Sequence, residues 1–474
     1  MEKIRGVPLY LAEIYKKLAS AGHLLFLVGG SVRDILLYKE VKDWDFATDA
    51  TPEEMLKLFP EAFYDNKFGT VGIPVQDKKT QNAPVVEITT FRSESEYEDR
   101  RRPKKVTWGK SIGEDLSRRD FTINAMALEF TGVLPAINQT TLIDLFDGQK
   151  DIKQKIIRAV GDPKKRFKED ALRLLRAIRL ATELEFIIEE NTWNELVKDA
   201  SLIKEISGER IRTELLRILA SSNPYEGVML LKNSHLFDYI LPALLEGIDV
   251  SQERPGRHHK SDVFTHNVLS LKFCPSKDPI VRFATLLHDI AKPRVEKKDE
   301  EGLVIFYNHE VVGARMAKNV CDRLHFSKKE RDKIFTLIRW HMFTVDEHIT
   351  DAAVRRFIRR VGVENVKDMM DLRIGDRLGG GTQTAESWRL KLFKKRVEEQ
   401  LAPAPFSIND MAVDGNDLMK ELKIKPGPKV GEILQKLFEE VDEDLSKNTR
   451  EYLLKRIHEL GNTSDGGRLN KAKP

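Results

Sequence analysis

The spacing of apolar residues changes character near residue 140. Before it, short apolar runs end in Gly or Asp and alternate with amphipathic stretches. HLLFLVGG (23–30) reads as a buried strand closing in a glycine pair, and SVRDILL begins a helix with Ser31 as its cap. WDFAT, VVEITTF and FTINAMALEF read as further strands, and TPEEMLKLF as a helix opened by Thr51-Pro52. From about 141 onward the period is that of a helix: DIKQKIIRAV, EDALRLLRAIRLA, NTWNELVKDA, GERIRTELLRILA. A break at SQERPGRHHK (251–260) precedes a histidine-rich helical block that ends near 378. GGGTQTAES and LAPAP (401–405) are connections, a last helical unit follows, and GNTSDGGRLNKAKP reads as disordered by composition. The expected fold class is α+β and multi-domain: a small mixed-sheet head (1–140), a helical neck (141–250), a histidine-rich helical domain (251–385) and a helical tail (400–465).

Composition narrows the class. With 474 residues and 32% charged positions but a net charge of only +4, any nucleic-acid surface must be a local concentration of Lys and Arg. Two cysteines, Cys274 and Cys321, fit a reducing cytoplasm rather than a disulfide framework. No apolar run approaches membrane-spanning length, so no membrane association is expected.

Two regions carry candidate chemistry. In the first, Gly29 and Gly30 at a strand-to-helix turn let backbone N–H groups approach a phosphate, and Arg33 adds a charge one turn later. In KDWDFATDA, Asp43 and Asp45 at i, i+2 share one face of a strand. Carboxylates that close repel unless a cation lies between them, and hard oxygens with a nucleotide phosphate suit Mg²⁺. In SRRDFTINAMAL, Arg119 suits a phosphate and Asp120 a ribose hydroxyl, although a charged turn before a strand explains the same residues. FRSESEYEDRRRPKKV (91–106) is long enough to be a functional loop or a disordered one. EDALRLLRAIRLA places Asp170, Arg173, Arg176 and Arg179 in one half of a helix surface. A carboxylate beside a guanidinium complements the Watson–Crick edge of a base; an ion-pair network bracing helices accounts for the row equally well.

The second region holds His266, His288, Asp289, His309, His341 and Asp376. One such histidine is usually structural, but imidazoles and carboxylates gathered in amphipathic helices suit a transition metal such as Ni, Mn, Co, Fe or Zn.

GGSVRD, DWD, RRDFTINAMAL, EDALRLLRAIR and SGERIRTEL occur in an order that resembles the class II tRNA nucleotidyltransferase/poly(A) polymerase family, over residues 20–245. The resemblance implies Mg²⁺ on Asp43 and Asp45 as the catalytic pair, and nucleotide contacts at Gly30, Arg33 and Arg119. It implies that Asp170 and Arg173 template the base of an incoming CTP or ATP, while Arg176 and Arg179 hold phosphates and neighbouring groups. The expected reaction is addition of C, C and A to the 3′ end of tRNA with release of pyrophosphate. Within the same family, a poly(A) polymerase or an enzyme adding only A shares nearly all these motifs; the whole loop 91–106 argues against an enzyme adding only CC. Residues 258–380 are similar to HD-domain phosphohydrolases, departing in HDIAKP where HDIGKP is commoner. That resemblance implies one metal on His266, His288, Asp289 and Asp376 and a second on His309 and His341. A third reading is an HD phosphohydrolase whose head is a degenerate nucleotide sensor, against which the intact Asp43 and Asp45 argue. FSINDMAVDGNDLMKELKIKPGPKVG resembles the segment following HD domains in related bacterial enzymes; KIKPGPKVG suits either an RNA phosphate contact or a packing turn.

Overall fold

The computed structural model describes residues 9–41, 43–64, 69–75, 85–92, 108–109, 111–130, 140–252, 261–401 and 407–463. It divides into two compact units, Met1–Ile248 with Asn319–Ser327, and Asp249–Lys318 with Lys328–Pro474. The loop 93–106, most of the 251–260 break and the terminal stretch from 464 lie outside the described residues. Among the described residues, no helix is long and apolar enough to cross a membrane.

The first unit opens with α1 (Leu9–Ser20), β1 (Leu25–Val28), α2 (Gly30–Leu36), β2 (Asp45–Thr48), α3 (Pro52–Leu58), β3 (Phe63–Tyr64), β4 (Thr70–Pro74), β5 (Val85–Thr90), α4 (Ile112–Ser117), β6 (Met126–Phe130) and β7 (Thr140–Asp144). The strands form one sheet in the order β3-β4-β5-β2-β1-β6-β7. LFLV of β1 is buried at every position because it has a strand on each side and is covered on both faces. Among the described residues of this sheet, only β2 and β5 run parallel, with Asp45 opposite Glu87 in the register. β7 pairs with β6 from Phe130↔Thr140 to Met126↔Asp144, so the sheet takes in residues past 140.

Helices follow: α5 (Gly148–Gln154), α6 (Pro163–Glu169), α7 (Leu172–Leu184), α8 (Glu190–Lys198), α9 (Gly208–Ala220), α10 (Pro224–Asn233), α11 (Phe237–Ile240) and α12 (Pro242–Leu245). A small parallel ladder, β8 (Ile156–Ile157) with β9 (Ile187–Ile188), interrupts them. The apolar face of α7, including Leu174, Leu175, Ala177 and Ile178, is fully buried, and α7 packs on α9.

The second unit holds α13 (Val263–Phe273), α14 (Pro279–Leu287), α15 (Lys292–Val295), a hairpin of β10 (Lys297–Lys298) and β11 (Val304–Ile305), α16 (His309–Arg323) as far as Lys318, α17 (Lys328–Trp340), α18 (Asp351–Val361), α19 (Val366–Gly379) and α20 (Trp388–Leu401). α13, α14, α17 and α19 pack into a bundle. Gly375 and Gly379 let α19 approach α13 closely: a Cβ on Gly379 would lie 2.3 Å from Ser270 Oγ. The tail, α21 (Gly415–Leu422), α22 (Pro428–Glu443) and α23 (Arg450–Thr463), closes over Leu418, Leu437, Val441, Leu453 and Ile457.

Several local expectations are corrected. Ser31 is not the cap of α2, whose N-cap is Gly29; its hydroxyl instead donates to Asp43 O and accepts from Asp45 N. FTINAMALEF is a strand only from Met126, because Thr122–Asn124 form a 3-10 turn. IIRAV leaves the helix at Gln154, and Ile156–Ile157 pair with Ile187–Ile188. Asp43 precedes β2 rather than sharing it with Asp45. Asp170 lies in extended backbone (φ −148°, ψ 103°) between α6 and α7, so the row of charges is not one helix face.

Candidate active site

In the first unit a pocket of about 340 Å³ opens where β2 and β5 meet the start of α7. Asp45 and Glu87 line one side, Arg118, Arg119 and Asp120 another, and Asp170, Arg173, Arg176 and Arg210 the third. The parallel register of β2 and β5 sets the two carboxylates at one level, with Asp43 just before the strand. Asp45 reaches solvent at the pocket, yet its carboxyl pKa is raised: burial is the largest cause, Glu87 and Asp43 add to it, and Arg119 opposes. The donor set, hard oxygens alone, fits Mg²⁺.

Gly29 has φ 71°, and a Cβ there would stand 2.8 Å from Arg119 Nη1 and 3.4 Å from Asp45 Oδ2. The glycine therefore supplies both the left-handed turn and the space in which strand, carboxylate and guanidinium come together. Arg119 is aimed by Asp115, which accepts its Nη2–H at 2.9 Å and also pairs with Arg118. Asp115 is itself buried; burial would raise its carboxyl, but Arg119 and Arg118 bring it down to about 2.

Asp120 does not face the pocket freely. Its Oδ2 accepts Nε and Nη2 of Arg176 at 2.8 and 2.5 Å, and its Oδ1 accepts Phe121 N–H and Asn124 Nδ2. Against the cost of burial, Arg176 and Arg173 hold that carboxyl well below the usual range. Arg33 donates to Asn124 Oδ1 at 2.8 Å and to Asp34, so it stands behind the pocket rather than in it. A chain of hydrogen bonds thus runs from Arg33 through Asn124 and Asp120 to Arg176, locking α2, the 3-10 turn and α7 together. Asp120 lines the pocket while held in this network, and Arg33 lies outside the pocket lining.

The row of charges splits. Arg173 donates to Arg166 O, Glu169 Oε2 and Arg118 O at 2.9, 2.6 and 2.9 Å, yet still lines the pocket. Asp170 accepts Leu172 N–H at 3.0 Å and takes both arms of Arg210 at 3.2 and 2.7 Å. Arg179 is buried outside the pocket, ion-paired to Glu214 at 2.5 Å and Glu183 at 3.0 Å. At this position the structure shows an ion-pair network that braces helices, with Glu214 on α9 facing Arg179. Glu87, Asp115, Arg118 and Arg210 are pocket or support residues that sequence reading did not single out. A lone carboxylate in the alternating strand VVEITT, and the arginine of SGERIRTEL, were the available signals.

In the second unit the six expected ligands converge. His266 Nε2 and His288 Nε2 lie 3.2 Å apart, each within 3.4 Å of Asp289 Oδ2, and 3.3 and 3.7 Å from Asp376 Oδ1. His309 Nε2 and His341 Nε2 lie 3.4 Å apart and face Asp289 Oδ1 at 3.2 and 3.7 Å. Asp289 therefore presents one oxygen to each group. His288 and Asp289 sit in the turn that follows α14, and both reach the cluster from there. Nδ1 of His288, His309 and His341 meets the carbonyl three residues earlier, at 2.8, 2.7 and 2.7 Å, which fixes each ring with Nε2 directed inward. Burial lowers the His288 pKa, but Asp289 and Asp376 override it and push it up to about 10, whereas burial lowers His341. Buried imidazoles and carboxylates in two groups of this kind fit transition-metal ions.

Residues 25–158 match the family described as "Poly A polymerase head domain", 185–247 "Probable RNA and SrmB- binding site of polymerase A", and 296–457 the tRNA nucleotidyltransferase domain 2 family. The chain is 31% identical over 451 residues to the CCA-adding enzyme of Ligilactobacillus salivarius, covering 94% of this chain and 95% of that one. It is 31% identical over 453 residues to the CCA-adding enzyme of Pediococcus pentosaceus, covering 94% and 96%. Among solved structures, the Bacillus stearothermophilus CCA-adding enzyme in complex with CTP superposes with a TM-score of 0.66 at 24% identity, covering 96% and 98%. The Thermotoga maritima CCA-adding enzyme complexed with tRNA gives 0.57 at 21%, covering 97% and 98%. At those identities the structures speak for the fold.

Proposed function

The chain belongs to the CCA-adding enzyme family of nucleotidyltransferases, and we propose that its first unit adds C, C and A in turn to the 3′ end of tRNA from CTP and ATP, releasing pyrophosphate. The observation that carries this reading is one pocket with the carboxylates Asp45 and Glu87 on one wall and the pair Asp170 and Arg173 on another, joined by arginines. Asp43 and Asp45 would hold Mg²⁺, which when bound activates a hydroxyl and stabilises a leaving pyrophosphate. Gly29 lets the backbone approach the triphosphate, and Arg119, aimed by Asp115, pairs with its charge.

Cytosine and adenine share an exocyclic amino group beside a ring-nitrogen acceptor on the Watson–Crick edge. A carboxylate accepts from the first and a guanidinium donates to the second. Asp170 and Arg173 offer that pair, whereas uracil and guanine present a carbonyl where the amino group is needed. Arg210 already occupies Asp170, so base binding shares or displaces that contact. Arg176 stays on Asp120 and stiffens the wall. The tRNA is held by phosphate and shape contacts on the helical regions, with the steep salt dependence such contacts bring. The expected compartment is the cytoplasm, where tRNA is processed and where the buried thiols of Cys274 and Cys321 stay reduced.

A second reading stands beside the first, favoured by a separate observation: two buried ligand groups, His266 with His288 and His309 with His341, share Asp289, and Asp376 adjoins the first. We read residues 251–385 as an HD-type metal-dependent phosphohydrolase. His266, His288, Asp289 and Asp376 would hold one ion and Asp289, His309 and His341 another; such ions supply a hydroxide at neutral pH. Lys292, 2.5 Å from Asp289 Oδ2, neutralises part of the carboxylate charge.

The test is purified protein with a tRNA transcript ending at the discriminator base, Mg²⁺, and CTP and ATP singly and together. Addition of C, C and A followed by arrest is the expected result. Long adenosine tails, or addition of a single A alone, would replace the reading with the poly(A) polymerase or A-adding one. Release of phosphate from phosphoesters by protein loaded with Ni²⁺, Mn²⁺ or Co²⁺ tests the second unit.

A further inference from the structure

A second basic pocket, of about 440 Å³, lies in the second unit beside the histidine cluster. Arg373, Arg377 and Arg389 line it together with Phe343 and Trp388. Arg373 connects it to the cluster: its Nη1 donates to Asp376 Oδ2 at 3.1 Å while its guanidinium lies 5.5 Å from the centre of the Phe343 ring. Phe343 itself follows His341 by two residues.

Three guanidiniums in one pocket repel one another unless something pairs with them. Arg373 has Asp376, but Arg377 has no carboxylate partner among the described residues. The Nε atoms of Arg373 and Arg377 are buried without a hydrogen-bond partner, an arrangement that costs free energy in the absence of an acceptor. α20 starts at the same pocket, with Ser387 capping it through Leu390 N–H, so the positive end of a 14-residue helix adds to the field. Trp388 is 58% exposed although it lines a pocket. The Arg389 guanidinium lies 5.3 Å from the centre of its ring, and an exposed aromatic beside arginines can stack on a flat ring, the arrangement by which bases are held irrespective of sequence.

We propose that this pocket is a nucleoside-phosphate subsite serving the histidine cluster: Arg377, Arg373 and Arg389 take the phosphate, and Trp388 stacks on the base. That it serves hydrolysis rests on the phosphohydrolase reading; that it binds does not. The ligand class is a nucleoside phosphate, either free or at the 3′ end of an RNA.

The experiment titrates the full-length protein in EDTA with adenosine 3′-monophosphate, with a 3′-phosphorylated RNA trinucleotide and with inorganic phosphate. The signal is tryptophan fluorescence, taken as the difference between wild type and Trp388→Phe. Saturable quenching that depends on Trp388 is expected with either nucleotide ligand, and response to the trinucleotide alone assigns the ligand to RNA ends. Arg377→Ala should weaken the affinity about tenfold, the worth of a charge-assisted hydrogen bond. Arg389→Ala, at an exposed position, provides the same readout should Arg377→Ala fail to fold. In metal-loaded protein, Trp388→Ala should raise KM for a nucleotide ester and leave kcat. No Trp388-dependent quenching with any ligand, or unchanged affinity in both arginine variants, overturns the subsite. Intact binding without phosphate release by metal-loaded protein overturns the phosphohydrolase reading and leaves the subsite standing.

Discussion

Arg210 grips Asp170 with both arms, Nη1 at 3.2 Å from Oδ1 and Nη2 at 2.7 Å from Oδ2. The carboxylate proposed to read the base is therefore engaged before any nucleotide arrives. Asp170→Asn keeps the shape but turns half the acceptor into a donor. It should cost CTP and ATP about tenfold or more in kcat/KM relative to UTP and GTP. Arg210→Ala should alter KM and keep the preference. Competition assays with all four nucleotides check both, and an unaltered preference in Asp170→Asn would remove the templating role.

Asp43→Ala and Asp45→Asn should each lower nucleotidyl transfer by on the order of 10³-fold, the scale of losing metal-stabilised charge in the transition state. Phosphate release by the second unit should stay at the wild-type level. Primer-extension and phosphatase assays on the same preparations separate the two; joint loss would mean that the sites are not independent.

The raised pKa of Asp45 also makes a statement about stability. Because the folded carboxyl holds its proton more tightly than the unfolded one, this residue favours folding below its folded pKa and loses that contribution as pH rises through it. At neutral pH the ionised group is thus a liability in the metal-free protein. Asp45→Asn should raise the unfolding midpoint in EDTA, with a smaller gain in Mg²⁺. Because a proton and Mg²⁺ compete for this carboxylate, Mg²⁺ affinity should fall on acidification at a higher pH than an ordinary carboxylate would dictate, read from Mg²⁺ titrations at a series of pH values.

Asp115 runs the other way. Its carboxyl, held at about 2 by Arg119 and Arg118 against burial, stabilises the fold above the usual carboxylate pKa and loses this as pH falls towards 2. Asp115→Ala strands two partly buried guanidiniums and should cost about 3 kcal/mol by denaturant titration. It should also weaken triphosphate binding, since Arg119 loses its support.

Arg179→Ala tests the division of the arginine row. Leaving Glu214 buried and unpaired should destabilise the first unit by about 3 kcal/mol, while CTP and ATP selectivity at low temperature stays as in the wild type. Arg179→Met with Glu214→Leu should recover much of the loss, measured by thermal melts. Altered base choice would return Arg179 to the nucleotide site.

Asp289 faces both ligand groups with separate oxygens. Asp289→Ala should empty both metal positions, whereas His341→Ala should remove one of two ions, read by elemental analysis after dialysis. Equal loss in the two variants would mean a single shared ion.

Much was determined by local chemistry that the chain carries wherever it folds. The apolar run LFLV had to be an interior strand, Gly29 had to make the turn beside the carboxylates, and Asp43, Asp45 and the six histidine-cluster ligands announced themselves by residue type. What only tertiary structure decided was pairing across long separations. Asp45 meets Glu87 because β2 and β5 happen to run parallel. Arg176 is committed to Asp120, 56 residues away, and Arg179 to Glu214 on α9, while Asp170 leaves the helix and closes on Arg210. Spacing along one helix cannot tell an arginine that faces a ligand from one that faces a carboxylate on its neighbour. The energy of a guanidinium depends on what lies within about 4 Å of it, and that is set by packing.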